Sequence, residues 1–306
     1  MFSGFFLYIC LKFFKNNIEI NKAMAITKII ACSDIHIPAF NGIEDKKNVL
    51  KIFIEQCKKI VKEEGKDNVR IVVAGDIFNS KNAITNESIV AVYWFLSELN
   101  KICKTIVFAG NHDFTMSNTD RLDSITPIFE IGDLKNTIYL DKEFGYKSGC
   151  YTDDNIVWCL YSSFDEFKKP NISIERSKYD EAEEQKTYVG LVHTDVNGAI
   201  TNTNFVAEHG LDPSVFDGCD FVIAGHIHKR QELKKDGIKI VYCSSIVQKD
   251  FGENVTGHGF VLWDISDPED YKYDFVDVEN KDGGFYYFTI YDIKDIEEDF
   301  EEITNL

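Results

Sequence analysis

The side chains best suited to chemistry in this chain of 306 residues stand directly after short apolar runs. Runs such as TKIIACS and VRIVVAG have the length and composition of buried strands. Open α/β sheets place their ligands at the carboxyl ends of such strands, so several strand ends can bring these groups to one rim. The side chains concerned are Asp34, His36, Asp76, Asn111, His112, Asp113, His193, His226 and His228.

The joint occurrence of these residues favours a functional site. Taken alone, a D-x-H sequence after a strand, a G-D pair or a single histidine usually belongs to a turn or a surface. Here five of the seven histidines follow strands, in the order D-x-H, G-D, G-N-H-D, H and G-H-x-H. We therefore predict one metal centre rather than a set of unrelated turns.

The residue types indicate which ions this centre would hold. Two aspartates, one asparagine and four histidines, without a thiolate, suit Mn²⁺, Fe or Zn²⁺. So many ligands exceed the needs of one ion with an open position, so we expect two ions about 4 Å apart that share a carboxylate. Such a pair lowers the pKa of a bridging water and clamps phosphoryl oxygens, which predicts hydrolysis of a phosphoester.

His112 is the predicted general acid. It follows Asn111 and precedes Asp113, and a neighbouring carboxylate can orient an imidazole and raise its pKa. A histidine with a raised pKa is suited to protonating a leaving alkoxide, so Asp113 is predicted as a catalytic residue with it. The alternative is that His112 is an additional metal ligand. We expect the two remaining histidines, His209 and His258, to be solvated.

Strand and helix patterns alternate in the first half of the chain. Apolar residues at helical spacing predict helices over 49–65 and 87–102, each between buried strands, so these strands should pair in parallel. After about Ile138 most apolar runs are strands, and the polar stretch 164–186 predicts an exposed loop or a short helix. The predicted fold class is α/β, a four-layer α/β/β/α sandwich with a short β-rich C-terminal addition.

Three regions are predicted along the chain. Residues 1–23 are apolar but short for a membrane span, and Met24 directly precedes the first strand, so we expect a non-native or disordered extension. A membrane-surface helix is the alternative there. Residues 24–265 should hold the metal centre. Residues 266–306, with two predicted strands and an acidic helix over 295–303, should form a short capping segment.

The composition limits the classes of partner. The formal net charge of −18 repels polyanions at long range, which argues against a protein that binds nucleic acid through its own surface alone. Bound metal cations or a basic partner subunit would offset that repulsion. The eight cysteines form no C-x-x-C pair and mostly lie in apolar runs, which favours free thiols in a reducing compartment.

The motifs DIH, GDIFN, GNHD, LVHTD and GHIHKRQ resemble those of the calcineurin-like metallophosphoesterase superfamily, over about residues 26–265. GDIFN and GNHD differ from the GDxxDRG and GNHE of Ser/Thr protein phosphatases, which excludes that branch. The later segment VYCSSIVQKDFGENVTGHGF is similar to the one that follows GHxH in SbcD-type DNA-repair nucleases of bacteria and phages.

This resemblance implies a role for each position. Asp34, His36, Asp76 and His228 would hold the first metal, and Asp76, Asn111, His193 and His226 the second. The implied cofactor is a pair of Mn²⁺ ions, and the implied reaction is attack on phosphorus by a metal-bridging hydroxide with His112 as the catalytic acid. The implied activity is exonuclease and endonuclease cleavage of DNA in recombination or repair.

The resemblance also implies partners: DNA, an SbcC-type coiled-coil ABC ATPase and a second copy of the chain, with no membrane partner. The implied location is the cytoplasm of a bacterium or of a phage-infected cell.

Two features depart from the nuclease pattern. SbcD-type nucleases carry a histidine three residues after the G-D aspartate, and this chain has Asn79 there. Only about 40 residues follow Ile265, which is few for a capping domain and ATPase-docking helices. Asn79 weighs against duplex exonuclease activity more than against phosphodiester chemistry. The acidic composition and the short C-terminal part favour the alternative function, a small-molecule or nucleotide phosphodiesterase or phosphatase. A non-enzymatic scaffold is the third hypothesis.

Overall fold

The structure, a computed structural model, describes residues 25–280 except 116, 119, 120, 183 and 236. Within that range the chain forms two six-stranded mixed sheets. Side chains from both sheets share one apolar core, so the sheets pack face to face. The predicted extension 1–23, and the predicted strand and acidic helix near the C-terminus, lie outside the described residues.

The first sheet has the strand order β12-β11-β1-β2-β3-β4. Strands β1 to β4 are parallel, as the alternation of strands and helices predicts for the first three, and β11 and β12 are antiparallel additions at one edge. The strands are β1 (Lys28–Cys32), β2 (Val69–Ala74), β3 (Thr105–Phe108), β4 (Thr137–Tyr139), β11 (Gly259–Asp264) and β12 (Lys272–Asp277).

The second sheet has the strand order β5-β6-β7-β8-β10-β9. Its four inner strands are parallel, and the strand at each edge is antiparallel to its neighbour. The strands are β5 (Gly149–Asp153), β6 (Ile156–Tyr161), β7 (Thr187–His193), β8 (Phe221–Gly225), β9 (Gln231–Lys235) and β10 (Ile238–Tyr242).

Two long helices, α1 (Ile43–Glu64) and α2 (Asn86–Ile102), cover the outer face of the first sheet. Each has an apolar stripe at helical spacing, for example Phe53 and Cys57 on α1, which packs into the core beneath. Both helices are predicted by that spacing, although α1 begins earlier, after Gly42, whose φ of 83° is left-handed.

Three shorter helices complete the layers: α3 (Thr126–Ile131), α4 (Leu140–Glu143) and α5 (Ile172–Asp180). Helix α5 lies within the stretch where a loop or short helix is predicted, and its Ile172 joins the apolar cluster on the outer face of the second sheet. The layers are therefore α/β/β/α, which confirms the predicted fold class. Among the residues that the structure describes, no helix is both long and apolar enough to cross a membrane.

Strand β12 lies in the predicted C-terminal segment, yet it is an integral edge of the first sheet. It pairs with β11 along its whole length, from Gly259 opposite Asp277 to Asp264 opposite Lys272. The sheet therefore continues past the predicted boundary at residue 265, because its outermost strand comes last in the described chain.

Candidate metal centre

Five strand ends meet at one rim of the sandwich, three from the first sheet and two from the second. Asp34 and His36 follow β1, Asp76 follows β2 and Asn111 follows β3, whereas His193 is the last residue of β7 and His226 and His228 follow β8. Because both sheets direct the carboxyl ends of their parallel strands to this rim, the side chains converge. The structure thus brings the seven predicted ligands together, and their assignment as ligands stays a prediction.

One group of ligand atoms comprises Asp34, His36 and His228. The Nε2 atom of His228 lies 3.4 Å from Oδ1 of Asp34, and Nε2 of His36 lies 3.8 Å from the same oxygen. The two Nε2 atoms are 3.0 Å apart. Two imidazole nitrogens and a carboxylate oxygen therefore face a common point.

A second group comprises Asp76, His193 and His226. The Nε2 atom of His193 lies 3.2 Å from Oδ2 of Asp76. Nδ1 of His226 lies 2.8 Å from Oδ1 of Asn111, which brings the asparagine into this group. Oδ2 of Asp76 is also 3.8 Å from Nε2 of His36, so Asp76 lies between the two groups as a shared carboxylate would.

Several buried atoms in the two groups lack a hydrogen-bond partner among the described residues. They are Oδ1 of Asp34, Nδ1 of His36 and Nε2 of His193. Leaving a buried polar atom unsatisfied costs about 1–3 kcal/mol, and a bound cation would satisfy Oδ1 of Asp34 and Nε2 of His193. An ion at Nε2 of His36, the atom that faces Asp34 and His228, would not satisfy Nδ1 of the same ring. The donor set of carboxylate, amide and imidazole atoms fits divalent ions such as Mn²⁺, Fe or Zn²⁺.

The electrostatics match a site built to hold positive charge. Although burial disfavours their charged forms, the imidazoles of His193 and His228 lower the pKa of Asp34, and His193 lowers that of Asp76 to about 2. Burial likewise opposes charge on His193, but Asp76 and Asp34 raise its pKa to about 10. The two aspartates therefore stay ionised and attract cations into the rim.

The chain turns sharply where it presents these ligands. Asp34, His36 and Asp76 have φ values of 52°, 49° and 51°, and His226 has 94°. Such left-handed conformations are uncommon outside glycine and cluster at functional sites, where the surrounding structure enforces them. Gly110 permits the close approach of the loops, because a Cβ atom there would lie 2.2 Å from Oδ1 of Asp76.

His112 points into the same rim from the loop after β3. Its Nε2 atom lies 4.0 Å from Oδ2 of Asp76, and its side chain is 34% exposed. Its Nδ1 atom lies 2.6 Å from the backbone carbonyl oxygen of Asn79. Because a carbonyl only accepts, Nδ1 carries a proton, and the free position of the ring, Nε2, faces the metal centre.

The predicted orientation of His112 by Asp113 is wrong. The Asp113 carboxylate is fully buried and accepts hydrogen bonds from the backbone N–H groups of Ile77, Phe78 and Gly110. Burial and the neighbouring Asp76 raise the pKa of Asp113 to about 7. Asp113 therefore braces the loop after β2 against the loop after β3, and the backbone of Asn79 orients the imidazole instead.

Glu253 supports the site in a way that the sequence analysis does not assign. Its Oε1 atom lies 2.5 Å from Nδ1 of His228, and its Oε2 atom accepts the backbone N–H of Lys249 at 3.0 Å. A carboxylate on the far nitrogen fixes the tautomer and orientation of an imidazole ligand. The sequence signal for this role is the FGE motif at residues 251–253, which follows the GHIH motif that contains His228.

Of the two histidines predicted to be solvated, only His209 is exposed. His258 is buried, with Nδ1 2.9 Å from Oγ of Ser245 and Nε2 2.6 Å from the carbonyl oxygen of Asn254. His258 therefore holds the FGE segment against β11, and its expected solvation is wrong because the polar atoms of this segment fold back over the ring.

The stacked sheets carry two groups of candidate metal ligands at their shared rim, an arrangement suited to metal-dependent hydrolysis. Residues 27–230 match the family model described as calcineurin-like phosphoesterase, and the chain belongs to that family.

Two viral proteins are similar in sequence. An uncharacterized protein of Acanthamoeba polyphaga mimivirus, R555, is 31% identical over 244 residues, which are 78% of this chain but only 17% of the mimivirus protein. A protein of Invertebrate iridescent virus 6, named "Putative phosphoesterase 244L", is 25% identical over 79% of this chain and 77% of its own. The chain thus spans about a sixth of the length of the mimivirus relative.

Two solved structures are similar at low identity. GAP50, the anchor in the inner membrane complex of Plasmodium, has 11% identity and a TM-score of 0.46, covering 85% of this chain and 87% of GAP50. An archaeal phosphodiesterase has 13% identity and a TM-score of 0.37, covering 81% of this chain and 99% of its own.

Proposed function

We propose that this phosphoesterase is a dinuclear metal-dependent phosphodiesterase that cleaves the backbone of DNA. Asp34, His36, Asp76 and His228 would hold one divalent ion, and Asp76, Asn111, His193 and His226 the other. Two such ions supply an activated water nucleophile and neutralise the phosphoryl oxygens. Mn²⁺ is the ion we propose, with Fe and Zn²⁺ as the alternatives that the same donor set accepts.

His112 supplies the proton to the leaving oxygen. Asn79 holds Nδ1–H of the ring through its carbonyl oxygen, so only Nε2 can exchange a proton with the substrate. A protonated His112 therefore donates from Nε2, on the side that faces Asp76 and the open rim. Asp113 contributes by fixing the two loops that carry Asp76 and His112, not by touching the reacting groups.

One observation favours DNA as the substrate. The segment that resembles SbcD-type nucleases lies against the metal centre, because its Glu253 contacts His228 and its His258 packs beneath Ser245. A segment with a purely structural role in the core would not be expected to contact a candidate metal ligand such as His228. The similarity therefore concerns the surroundings of the site, in addition to the ligands that the whole family shares.

Cleavage of end-labelled linear DNA by the full chain with Mn²⁺ tests this proposal. We expect shortened products from single- or double-stranded substrates, no product with EDTA, and a product ladder that gives the polarity. His209→Ala, at an exposed histidine outside the set of candidate ligands, is the matched control for His112→Ala and should cleave normally. Undetectable cleavage of every DNA substrate by a chain that still hydrolyses bis(p-nitrophenyl) phosphate would contradict the nuclease assignment.

The second candidate is a small-molecule or nucleotide phosphodiesterase or phosphatase. The net charge of −18 and Asn79, in place of the histidine of SbcD-type nucleases, favour it. Turnover of cyclic or mononucleotides that exceeds turnover of DNA by orders of magnitude would support this candidate.

An SbcC-type coiled-coil ATPase is the partner that we propose on the same resemblance. The mimivirus relative leaves room for further domains, since the matched segment is only 17% of its length. Purification of the native protein from its source tests the idea. Co-elution of a long coiled-coil ATPase would support the partnership, and a chain that elutes alone or as a homodimer would count against it.

A further inference from the structure

Two open clefts meet the candidate metal centre at neighbouring histidines. One is lined by His36 and has a volume of about 490 Å³, and the other is lined by His228 and has a volume of about 270 Å³. The Nε2 atoms of these two histidines are 3.0 Å apart. Both clefts therefore adjoin the ligand group of Asp34, His36 and His228, and a phosphate held at that group would have open space at two places beside it.

The cleft at His36, here called the lysine cleft, is lined by Lys46 of α1 and by Lys249. Among the described residues, neither ammonium group makes a hydrogen bond or an ion pair. Burial lowers the pKa of Lys46 to about 7, and the nearby Lys249 adds to that effect against the pull of Glu253. Two lysines of like charge thus share one cleft without a neutralising carboxylate in contact.

Such an arrangement is unfavourable unless an anion completes it. Unpaired cations are unexpected in a chain with 51 acidic residues against 33 basic ones, where most half-buried lysines could find a partner. Two carboxylates, Asp45 and Asp250, also line this cleft, but both are exposed to solvent, which screens their charge. A phosphate in the lysine cleft would be neutralised by both ammonium groups.

The cleft at His228, here called the asparagine cleft, has a different lining. Asn202, Asn204 and Asn254 line it together with Lys229 and Arg230. Arg230 is paired with Asp277, and Nζ of Lys229 contacts Oδ1 of Asn204 at 2.8 Å. Oδ1 of Asn202 is buried without a hydrogen-bond partner among the described residues. Amide groups donate and accept hydrogen bonds, which suits sugar and base edges as well as phosphate.

We propose that these two clefts bind the nucleotides on either side of the scissile phosphate, so that the site is built for a polynucleotide rather than for a small phosphodiester. The lysine cleft takes the neighbouring backbone phosphate, and the asparagine cleft takes the sugar and base on the other side. This inference rests on the proposed phosphodiesterase function and deepens it. It also explains how an acidic protein holds a polyanion, since Lys46 and Lys249 place positive charge beside the candidate metal centre.

The test measures binding apart from cleavage. A fluorescein-labelled single-stranded DNA of twelve nucleotides is titrated with the full chain by anisotropy, with Ca²⁺ in place of Mn²⁺ to suppress turnover. The variants are Lys46→Met with Lys249→Met for the lysine cleft and Lys229→Met for the asparagine cleft. Lys62→Met, at an exposed lysine of the same helix as Lys46, is the matched control.

We expect the double lysine variant to bind the oligonucleotide about tenfold more weakly, with a salt dependence reduced by about two charges. Lys229→Met should weaken binding severalfold, and Lys62→Met should bind like the unmodified chain. In parallel, catalytic efficiency measured with Mn²⁺ should fall at least tenfold more for the oligonucleotide than for bis(p-nitrophenyl) phosphate, which carries no second phosphate. That ratio separates a lost contact from a general loss of folding, and Lys249→Met alone serves if the double variant is unstable.

Two outcomes would overturn the inference. One is an unmodified chain that hydrolyses bis(p-nitrophenyl) phosphate but does not bind the oligonucleotide, and the other is a set of lysine variants that bind it as tightly as Lys62→Met. Failure of the proposed function is a distinct result, because a chain that binds the oligonucleotide through both clefts yet does not cut it would leave the binding inference supported and the nuclease assignment refuted.

Discussion

At the scale of single residues, two of the candidate histidine ligands are each held by a second contact on the far side of the ring. Nδ1 of His193 lies 2.7 Å from the carbonyl oxygen of Ala74, and Nδ1 of His228 is held by Glu253. Both contacts leave Nε2 without a proton in the neutral ring, and a metal requires that form of an imidazole. The candidate metal centre is therefore organised by these supporting contacts as well as by the candidate ligands themselves.

His112→Ala should abolish turnover and leave metal binding intact. The side chain donates a proton from Nε2 in the proposed mechanism, and general acid–base catalysis contributes about 10²–10⁴-fold to rates. Turnover of bis(p-nitrophenyl) phosphate and the metal content of the same sample check the prediction, with His209→Ala as the control. If the variant lost one of two ions, His112 would instead be a metal ligand, which is the alternative that its place near His36 and Asp76 keeps open.

Glu253→Gln should weaken metal binding by about 10–100-fold, the usual effect of losing a carboxylate that orients a histidine ligand. Glutamine keeps the size of the side chain but removes the charge that faces Nδ1 of His228. A competition titration of Mn²⁺ against a chelating dye measures the change. Glu208→Gln, at an exposed glutamate, should bind the ion normally. Equal affinity for both variants would show that Glu253 only stabilises its loop.

Among the elements, the tight loops after β2 and β3 determine how closely the two groups of candidate metal ligands can approach each other. Gly110→Ala should disturb both, since its Cβ atom would lie 2.2 Å from Oδ1 of Asp76 and 2.7 Å from Nε2 of His193. We expect at least a tenfold loss of metal affinity, measured by the same titration. Gly145→Ala, with no atom within 4 Å of the added Cβ, is the control and should bind metal normally despite its left-handed φ. Unchanged affinity in Gly110→Ala would refute the close packing of these loops.

Asp141 of α4 ties the ends of two strands from different sheets, accepting hydrogen bonds from the backbone N–H of Ala109 and from Oγ of Ser162. Burial raises the pKa of Asp141 from 3.8 to about 7. Between these two pH values the folded chain binds more protons than the unfolded chain, so this residue makes the free energy of unfolding fall as pH rises from about 4 to 7.

Asp141→Asn removes that dependence while keeping a polar side chain of the same shape. The free energy of unfolding of the variant, minus that of the unmodified chain, should therefore be about 1–4 kcal/mol larger at pH 8 than at pH 5. This range follows from about 1.4 kcal/mol for each pKa unit. Urea unfolding at both pH values measures this difference, with the exposed Asp154→Asn as the control. A stability difference that is the same at both pH values would contradict a protonated, buried Asp141.

The elements also show what the sequence could predict. Helices α1 and α2 and most strands carry a clear apolar pattern, so local sequence identifies them. Strand β9 reads QELKK and β5 reads GCYTD, and neither is predicted because edge strands need little apolar character. The place of β12 also could not be predicted, because pairing between β11 and β12 in the first sheet depends on the whole chain.

For the whole molecule, the gathering of the candidate ligands at one rim could be predicted, because these residues follow five strands in a fold that aligns strand ends. The contacts that each residue makes at the rim could not be predicted from the sequence. The Asn79 carbonyl that orients His112, the loop-bracing role of Asp113 and the reach of Glu253 to His228 all depend on how separate loops pack. Sequence spacing therefore indicates which residues gather, and the packing of loops determines what each one touches.

The distribution of charge is also a property of the whole molecule. The chain carries a net charge of −18, yet two lysines without a partner among the described residues line a cleft at His36. A substrate phosphate would therefore meet positive charge beside the candidate metal centre, although the chain as a whole is acidic. The net charge disfavours nonspecific binding to nucleic acid at long range, and the two lysines favour binding at the site.

The most direct test of the dinuclear phosphodiesterase centre counts bound metal and measures turnover in one sample. The full chain is loaded with Mn²⁺, freed of excess ion and assayed with bis(p-nitrophenyl) phosphate before and after EDTA. We expect two ions per chain and turnover that EDTA abolishes, with both lost in Asp76→Asn, because Asp76 lies between the two ligand groups. A chain that binds no more than one ion, or that keeps full turnover after the ions are removed, would contradict the account.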